Sequence, residues 1–385
     1  MASNFKVMQV IPKLGYGGAE TGCYDVAHFL AEKDCKSVIV TSGGPLIKFV
    51  KKKRVKVIKL PVHLKNPFAL IFNTFVLILL QILYRIDIVH ARSRAPAWSC
   101  YWSTFITRRK FVTTFHGTYN FKSKFKKFYN SVMVKSKLTI AGSNFIFNHI
   151  NENYEKYLKP KNKLLVIFRG INLNYYDPKN ISDIKLLKLK KDWGIDDDMF
   201  KILLPGRLTN WKGQLNFIEA LNILIEDYKN DKFQAIILGS DQGRKVYKKK
   251  LQSLIDRYNI NKKIIFAEQC NEMPLAYATS DIVVSSSIEP EAFGRVAVEA
   301  QAMQKPIIAT KLGGSMETVL NNKTGILYKF DDPRELAKNI NSFMETDKLA
   351  LNIMGVEGRK NVVKKFDVEK MCQSTFNEYK KLLNL

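Results

Sequence analysis

Short runs of β-branched and aromatic residues alternate along the chain with longer stretches of helical period. The first series is FKVMQVI (5–11), SVIVTS (37–42), VKVIKL (55–60), IDIVHA (86–91), KFVTTFH (110–116) and LTIAGS (138–143). A second series follows with FKILLPGRL (200–208), FQAIILGS (233–240), KIIFAE (263–268), DIVVSSS (281–287), KPIIAT (305–310) and TGILYK (324–329). Runs of this kind separated by helical patterns predict parallel strands joined by helical crossovers, and two series predict two doubly wound α/β domains with a cleft between them. The polar, Pro-containing stretch RGINLNYYDPKN (169–180) divides them. The expected domains are 1–175 and 176–360, with 361–385 as a terminal helix packing back toward the first domain. A length of 385 residues, more than one core usually spans, agrees with two domains.

One apolar stretch interrupts the alternation. Residues 67–84, PFALIFNTFVLILLQILY, approach the lower length limit for a membrane-spanning helix. Asn73, Thr74 and Gln81 argue against a span, and the run leads straight into a buried strand. The pattern therefore predicts a packed or interfacial helix of the first domain.

Charge changes the picture more than composition does. The net charge is +27, and residues 1–170 hold 29 Lys and Arg against 7 Asp and Glu, giving that part +22. Its basic runs are KKKRVK (51–56), RRK (108–110) and KSKFKK (122–127), the last interleaved with Phe121, Phe125, Phe128 and Tyr129. An anionic membrane surface or nucleic acid would be attracted to such a face, and a merely solvated basic surface is the plain alternative. Five scattered cysteines without a CxxC pair suggest neither a zinc site nor a disulfide framework. The N-terminus runs directly into a strand without the h-region of a secretory signal, so a cytoplasmic protein is expected.

In open α/β sheets ligands bind beyond the carboxyl ends of the strands, so candidate residues are sought there. GYGGAE (15–20) follows the first strand; it lacks the third glycine of a dinucleotide fingerprint, which disfavours an NAD enzyme. It reads either as a plain turn or as a backbone that a phosphate can approach at a helix N-terminus. GRLTNWKG (206–213) sets Arg207 and Lys212 at a strand end, where two cations suit a diphosphate and could stabilise it as a leaving group. EAFGRVAVE (291–299) places Glu291 in a loop and Glu299 inside a helix whose start, Phe293, Gly294 and Arg295, offers free N–H groups. Carboxylates accept paired hydroxyl hydrogen bonds, so Glu299 suits a ribose diol and Glu291 a sugar. The alternative for each is a structural helix acid. Arg92 and Arg94, just beyond a strand, are candidates for acceptor phosphate or carboxylate groups, or for membrane contacts or fold-stabilising pairs. Asp196 and Asp198 form an Asp-x-Asp pattern, but they precede a strand and read as a turn at the wrong edge for a metal site, so no metal is expected.

With GYGGAE, FHGTY, RGINLNYYDP, PGRLTNWKG, EAFGRVAVE, GGSMETV and TGILYKFDDPREL in this order over about residues 8–365, the chain resembles the retaining glycosyltransferases of family four, with their E-x7-E signature and GT-B fold. The resemblance implies donor binding by Gly17, Gly18, Arg207, Lys212, Glu291, Phe293, Gly294, Arg295 and Glu299. It implies His116, Glu291, Arg207 and Lys212 at the reacting centre. It further implies a UDP-, GDP- or ADP-sugar co-substrate, no cofactor, and a departing diphosphate that helps deprotonate the acceptor. A glycan or lipid-linked acceptor of lipopolysaccharide or other cell-surface polysaccharide synthesis is expected, with peripheral binding at the inner face of the cytoplasmic membrane and no nucleic-acid partner. A nucleotide-sugar epimerase on the same frame and a catalytically silent membrane-binding homologue are the alternatives.

Overall fold

The computed structural model describes residues 5–119, 121–268, 270 and 272–385; residues 1–4, at the start of the first expected domain, lie outside the described residues. The chain forms two compact units, one of Met1–Gly170 with Val368–Leu385 and the other of Ile171–Asp367. Both are Rossmann-like, and the architecture is of the GT-B type.

The first unit carries β1 (Lys6–Ile11), β2 (Lys36–Thr41), β3 (Val55–Lys59), β4 (Ile88–Ala91), β5 (Lys110–Phe115), β6 (Leu138–Ala141) and β7 (Lys163–Val166). They form a parallel sheet in the order β3-β2-β1-β4-β5-β6-β7. The second unit carries β8 (Phe200–Pro205), β9 (Phe233–Leu238), β10 (Ile264–Ala267), β11 (Ile282–Ser285), β12 (Ile307–Thr310) and β13 (Gly325–Tyr328), in the order β10-β9-β8-β11-β12-β13. Each of the twelve expected runs coincides with one of these strands, β2 beginning one residue earlier than its run. Central strands such as β4 and β11 are buried at every residue, because helices cover both faces of a parallel sheet. The edge strand β3 is not. The strand order reverses between β1 and β4 and again between β8 and β11, and such switch points open a crevice at the carboxyl edge.

β7 was not expected. Four residues, KLLV, at the sheet edge and behind a Lys-Pro-Lys-Asn-Lys run carry too little hydrophobic pattern to stand out. The terminal segment also differs from a single helix over 361–385. One helix, Lys348–Lys365, belongs to the second unit, and another, Val368–Leu383, to the first. The break falls at Phe366, whose buried ring packs edge-on against Phe293 at 5.4 Å and whose carbonyl accepts a hydrogen bond from the Ile171 N–H. Beyond it, Cys372, Phe376 and Tyr379 repeat at i, i+4 and i+7 and enter the same core as Val7, Leu30 and Ile88.

Candidate active site

At the β8/β11 switch point, β8 runs through Arg207 into a short turn, Asn210–Lys212, and then into the helix Gln214–Glu226. Gly213 makes that connection with φ +71°, and a Cβ there would lie 1.9 Å from the Ser286 carbonyl oxygen. Ser286 Oγ in turn donates to the carbonyls of Lys212 and Gly213 at 3.1 Å. The turn is thus pressed against the end of β11, which aims Lys212. Gly213→Ala is expected to cost roughly 2–4 kcal/mol, from the left-handed backbone and the clash together. The shift of the urea midpoint measures it, and an unshifted midpoint would mean that the turn tolerates displacement.

Lys212 Nζ stands 2.7 Å from Glu291 Oε1, with only 13% and 10% of the two side chains exposed. Ser287 Oγ donates to the same oxygen at 2.5 Å. Burial alone would raise the Glu291 pKa. The charge of Lys212, the hydrogen bonds from Lys212 and Ser287, and the charge of Arg207 outweigh it, and the carboxyl lies below its ordinary value. Glu291 is therefore ionised at neutral pH. Trp211 underlies both cations, with its ring 4.4 Å from Lys212 Nζ and 5.8 Å from the Arg207 guanidinium carbon. The Arg207 residue is exposed, so its fork of donors faces water.

Glu291 is held by its backbone as well, since its carbonyl accepts from the Gly314 N–H at 2.7 Å. The helix Arg295–Ala302 then begins at Gly294, whose φ of +81° permits the turn into it. The Phe293 ring is buried against Phe366, so this residue leaves only its backbone for a ligand. Glu299 is 5% exposed; Oε1 accepts from Arg295 Nε at 2.5 Å and Oε2 from the Tyr277 hydroxyl at 2.8 Å. A carboxylate has about four lone-pair sites, and these two donors together with the Tyr176 hydroxyl leave one acceptor position. Glu299 raises the pKa of Arg295, and burial followed by Glu299 raises that of Tyr277. Tyr176 joins this cluster, hydrogen-bonded to both Glu299 and Arg295.

In the first unit, the β1/β4 switch point holds the Gly-rich turn. Gly17 is the N-cap of α1 (Gly18–Glu32), and the Glu20 carboxylate lies so close that a Cβ on Gly17 would meet it at 2.4 Å. The first turn of α1 is therefore covered by an acid of its own helix. The Arg169 guanidinium spreads over Gly18 and Gly22 and would stand 3.3 and 3.1 Å from Cβ atoms there. It also donates to His116 Nδ1 at 2.6 Å. A guanidinium only donates, so Nδ1 accepts and the neutral imidazole carries its proton on Nε2. Nε2 is buried and has no hydrogen-bond partner among the described residues.

The two candidate acceptor arginines differ. Arg92 is buried and donates from Nε and Nη2 to Gln9 Oε1 and from Nη2 to the Gly22 carbonyl. It holds β4, β1 and α1 together. Arg94, half-buried, begins the helix α3 (Arg94–Thr107); it donates to Asn130 Oδ1 at 3.1 Å and stacks over Tyr119 at 4.3 Å. Asp196 and Asp198 form a turn before β8, at the edge away from Arg207, with Asp198 N–H donating to Asp196 Oδ1. Among the described residues no group of three or more His, Cys, Asp or Glu could hold a metal ion.

His116 and the buried His90 both titrate well below the ordinary histidine value. Burial is the chief cause for each, followed by Arg169, Arg92 and His90 for His116 and by Arg92 for His90. Folded, they are neutral, whereas an unfolded histidine takes up a proton near about pH 6.5. Unfolding below that pH binds protons, so stability falls as the pH drops from about 6.5, by up to about 1.4 kcal/mol per unit for each imidazole. Urea unfolding at neutral and mildly acidic pH is expected to show a shallower pH slope in His116→Asn than in the wild type. Equal slopes would mean that His116 is already charged in the folded protein.

Sequence reasoning missed Arg169, Tyr176, Tyr277 and Ser287. Ser287 follows a strand and had a positional signal; the tyrosines reach Glu299 from distant segments.

Residues 16–175 match the model for Glycosyltransferase Family 4, and residues 187–360 match that for glycosyl transferases group 1. A crystal structure of a glycosyltransferase from Rickettsia africae superposes with a TM-score of 0.89 at 36% identity, covering 99% of both chains. Anabaena HepE, solved in complex with UDP and glucose, shares the fold at a TM-score of 0.83 and 23% identity, over 98% of this chain and 99% of that one. An uncharacterized glycosyltransferase of Methanocaldococcus jannaschii is 30% identical over 223 residues, 57% of this chain, which spans 55% of that relative's length. With both halves matched by models of one enzyme group and a full-length relative of the same fold, the chain belongs to the family 4, group 1 glycosyltransferases.

Proposed function

We infer that the protein transfers a glycosyl group from a nucleoside diphosphate sugar to a glycan or lipid-linked acceptor, with retained anomeric configuration and without a metal. The observation that carries this reading is the Lys212–Glu291–Ser287 array beside Arg207, at the carboxyl edge of β8 and β11. Breaking the anomeric C–O bond leaves negative charge on the diphosphate, and Arg207 and Lys212 stabilise it there. The new bond forms from the acceptor oxygen to the anomeric carbon, and the acceptor proton passes to the departing diphosphate. Glu291 holds hydroxyls of the donor sugar, the backbone at Gly294 and Arg295 faces phosphate, and Glu299 holds the ribose. In the first unit His116 Nε2–H donates to a sugar hydroxyl and Arg94 meets an acidic group of the acceptor, whereas the Gly17–Gly18 turn, covered by Glu20 and Arg169, is not given a phosphate.

The acceptor belongs to cell-envelope glycan synthesis, of which lipopolysaccharide is the leading case, and the basic first unit supports this. Five free thiols support a reducing cytoplasmic setting. The UDP and glucose bound in the HepE crystal make UDP-sugars the first donors to try. Thermal melting against UDP-, GDP- and ADP-sugars in EDTA tests the reading, because a ligand of the folded state raises the melting temperature. A rise with one nucleotide class is expected. No rise with any of them, or conversion of the donor to an epimer without acceptor, would overturn it.

A further inference from the structure

We propose that the first unit docks on an anionic lipid bilayer through one face built from three helices, independently of the glycosyl-transfer reading. The central element is α2 (Pro67–Leu83), started by Asn66, whose Oδ1 accepts from the Ala69 N–H. Its polarity is inverted for a helix in water. Asn73, Thr74 and Gln81 face inward: Asn73 donates to the Pro61 carbonyl, Thr74 to the Leu70 carbonyl, and Gln81 accepts from Thr107 of α3. Phe68, Ile71, Phe72, Phe75, Leu79 and Ile82 face outward, Phe68 with 86% exposure. These positions recur every three to four residues, so they form a single stripe. Asn73 Oδ1 and Gln81 Nε2 remain buried without a hydrogen-bond partner among the described residues. Polar atoms held inside while aromatic rings point out describe a helix whose outer surroundings are apolar.

The stripe continues onto neighbouring elements. Ser99 of α3 donates to the Leu70 carbonyl, fixing α3 beside α2, and α3 exposes Trp102, Phe105 and Ile106. The short helix α4 (Lys124–Asn130) exposes Phe125 and Phe128, and Phe128 stacks on Trp98 of α3 at 5.6 Å. Charge identifies the occupant. Residues 64–130 hold eleven Lys and Arg against a single acid, Asp87, whose carboxylate accepts from the Lys6 N–H. Arg108, Arg109, Lys122, Lys124 and Lys126 are exposed around the apolar surface, while α2 itself carries no charge. A second copy would bring two such cationic rims together, whereas anionic headgroups neutralise the rim as acyl chains receive the stripe. Among the described residues no helix is long and apolar enough to cross a membrane, so the contact is interfacial.

Flotation of the full chain with vesicles of phosphatidylcholine alone, and of phosphatidylcholine with phosphatidylglycerol, tests this. The wild type is expected to float with the anionic vesicles at low salt. The variant carrying Phe72→Glu and Phe75→Glu is expected to lose at least about tenfold in bound fraction. Lys124→Glu with Lys126→Glu should lose the anionic preference alone. Unchanged thermal melting certifies each variant as folded; should the Phe variant fail to fold, the wild-type contrast and the Lys variant still decide. Absence of the wild type from anionic vesicles, or full retention by the Phe variant, would overturn the proposal. So would a lipid-free dimer that the Phe variant dissociates, since the face would then belong to a second copy.

Discussion

Lys212→Met is expected to lower kcat for donor turnover about 10²–10³-fold, the range seen when one preorganised charge stabiliser is removed. Its ammonium is held by Glu291 and Trp211, so it needs no reorganisation as charge develops on the diphosphate. The substitution also leaves Glu291 in a site 10% exposed, with Ser287 as its remaining close partner. Burial then pushes its pKa up, and the acid limb of the pH–rate profile moves to higher pH. The stability cost is about 1–3 kcal/mol, moderated because Glu291 can take up a proton. Adding Glu291→Gln removes the stranded charge and should restore most of that stability while leaving kcat low. Recovery of kcat in the double variant would mean that the pair serves only to hold the loop.

Glu299→Ala is expected to weaken nucleotide-sugar binding roughly 30- to 150-fold, or about 2–3 kcal/mol, through loss of a charged acceptor for the ribose. Glu299→Gln keeps a carbonyl acceptor and should fall between. Folding suffers less than binding: Tyr277 loses its acceptor, but Arg295, with 35% of its side chain exposed, can turn to water. The discriminating ligand is a 2′,3′-dideoxyribose form of the same nucleotide. Against it the wild type and Glu299→Ala should bind equally, and a persisting deficit would place the role of Glu299 in the packing around Tyr176 and Tyr277.

The twelve expected strand runs were legible because buried parallel strands read as continuous apolar segments, each ending where a polar residue has work at the sheet edge. Arg207, Lys212 and Glu291 were found by that logic, and the structure brings them together. Arg169 was not, and the reason is specific. It follows β7, and with KLLV unread as a strand, the arginine fell into what looked like a domain boundary. Tyr277 and Tyr176 meet Glu299 only through tertiary packing, which no local period reports. The apolar run at 67–84 is legible as a helix, yet its polarity is not. Its residues define an apolar face and a polar one, and only tertiary packing, against the Pro61 carbonyl for Asn73 and against α3 for Gln81, decides that they turn inward.

The most direct measurement is proton NMR of donor hydrolysis in EDTA, begun on mixing, with the α-linked nucleotide sugar that raises the melting temperature. Water then serves as acceptor, so no acceptor need be known. Metal-independent retention predicts that the α-anomer of the free sugar appears first and that its rate is unaffected by the chelator. First appearance of the β-anomer, or turnover that stops in EDTA and returns with a divalent cation, would contradict it.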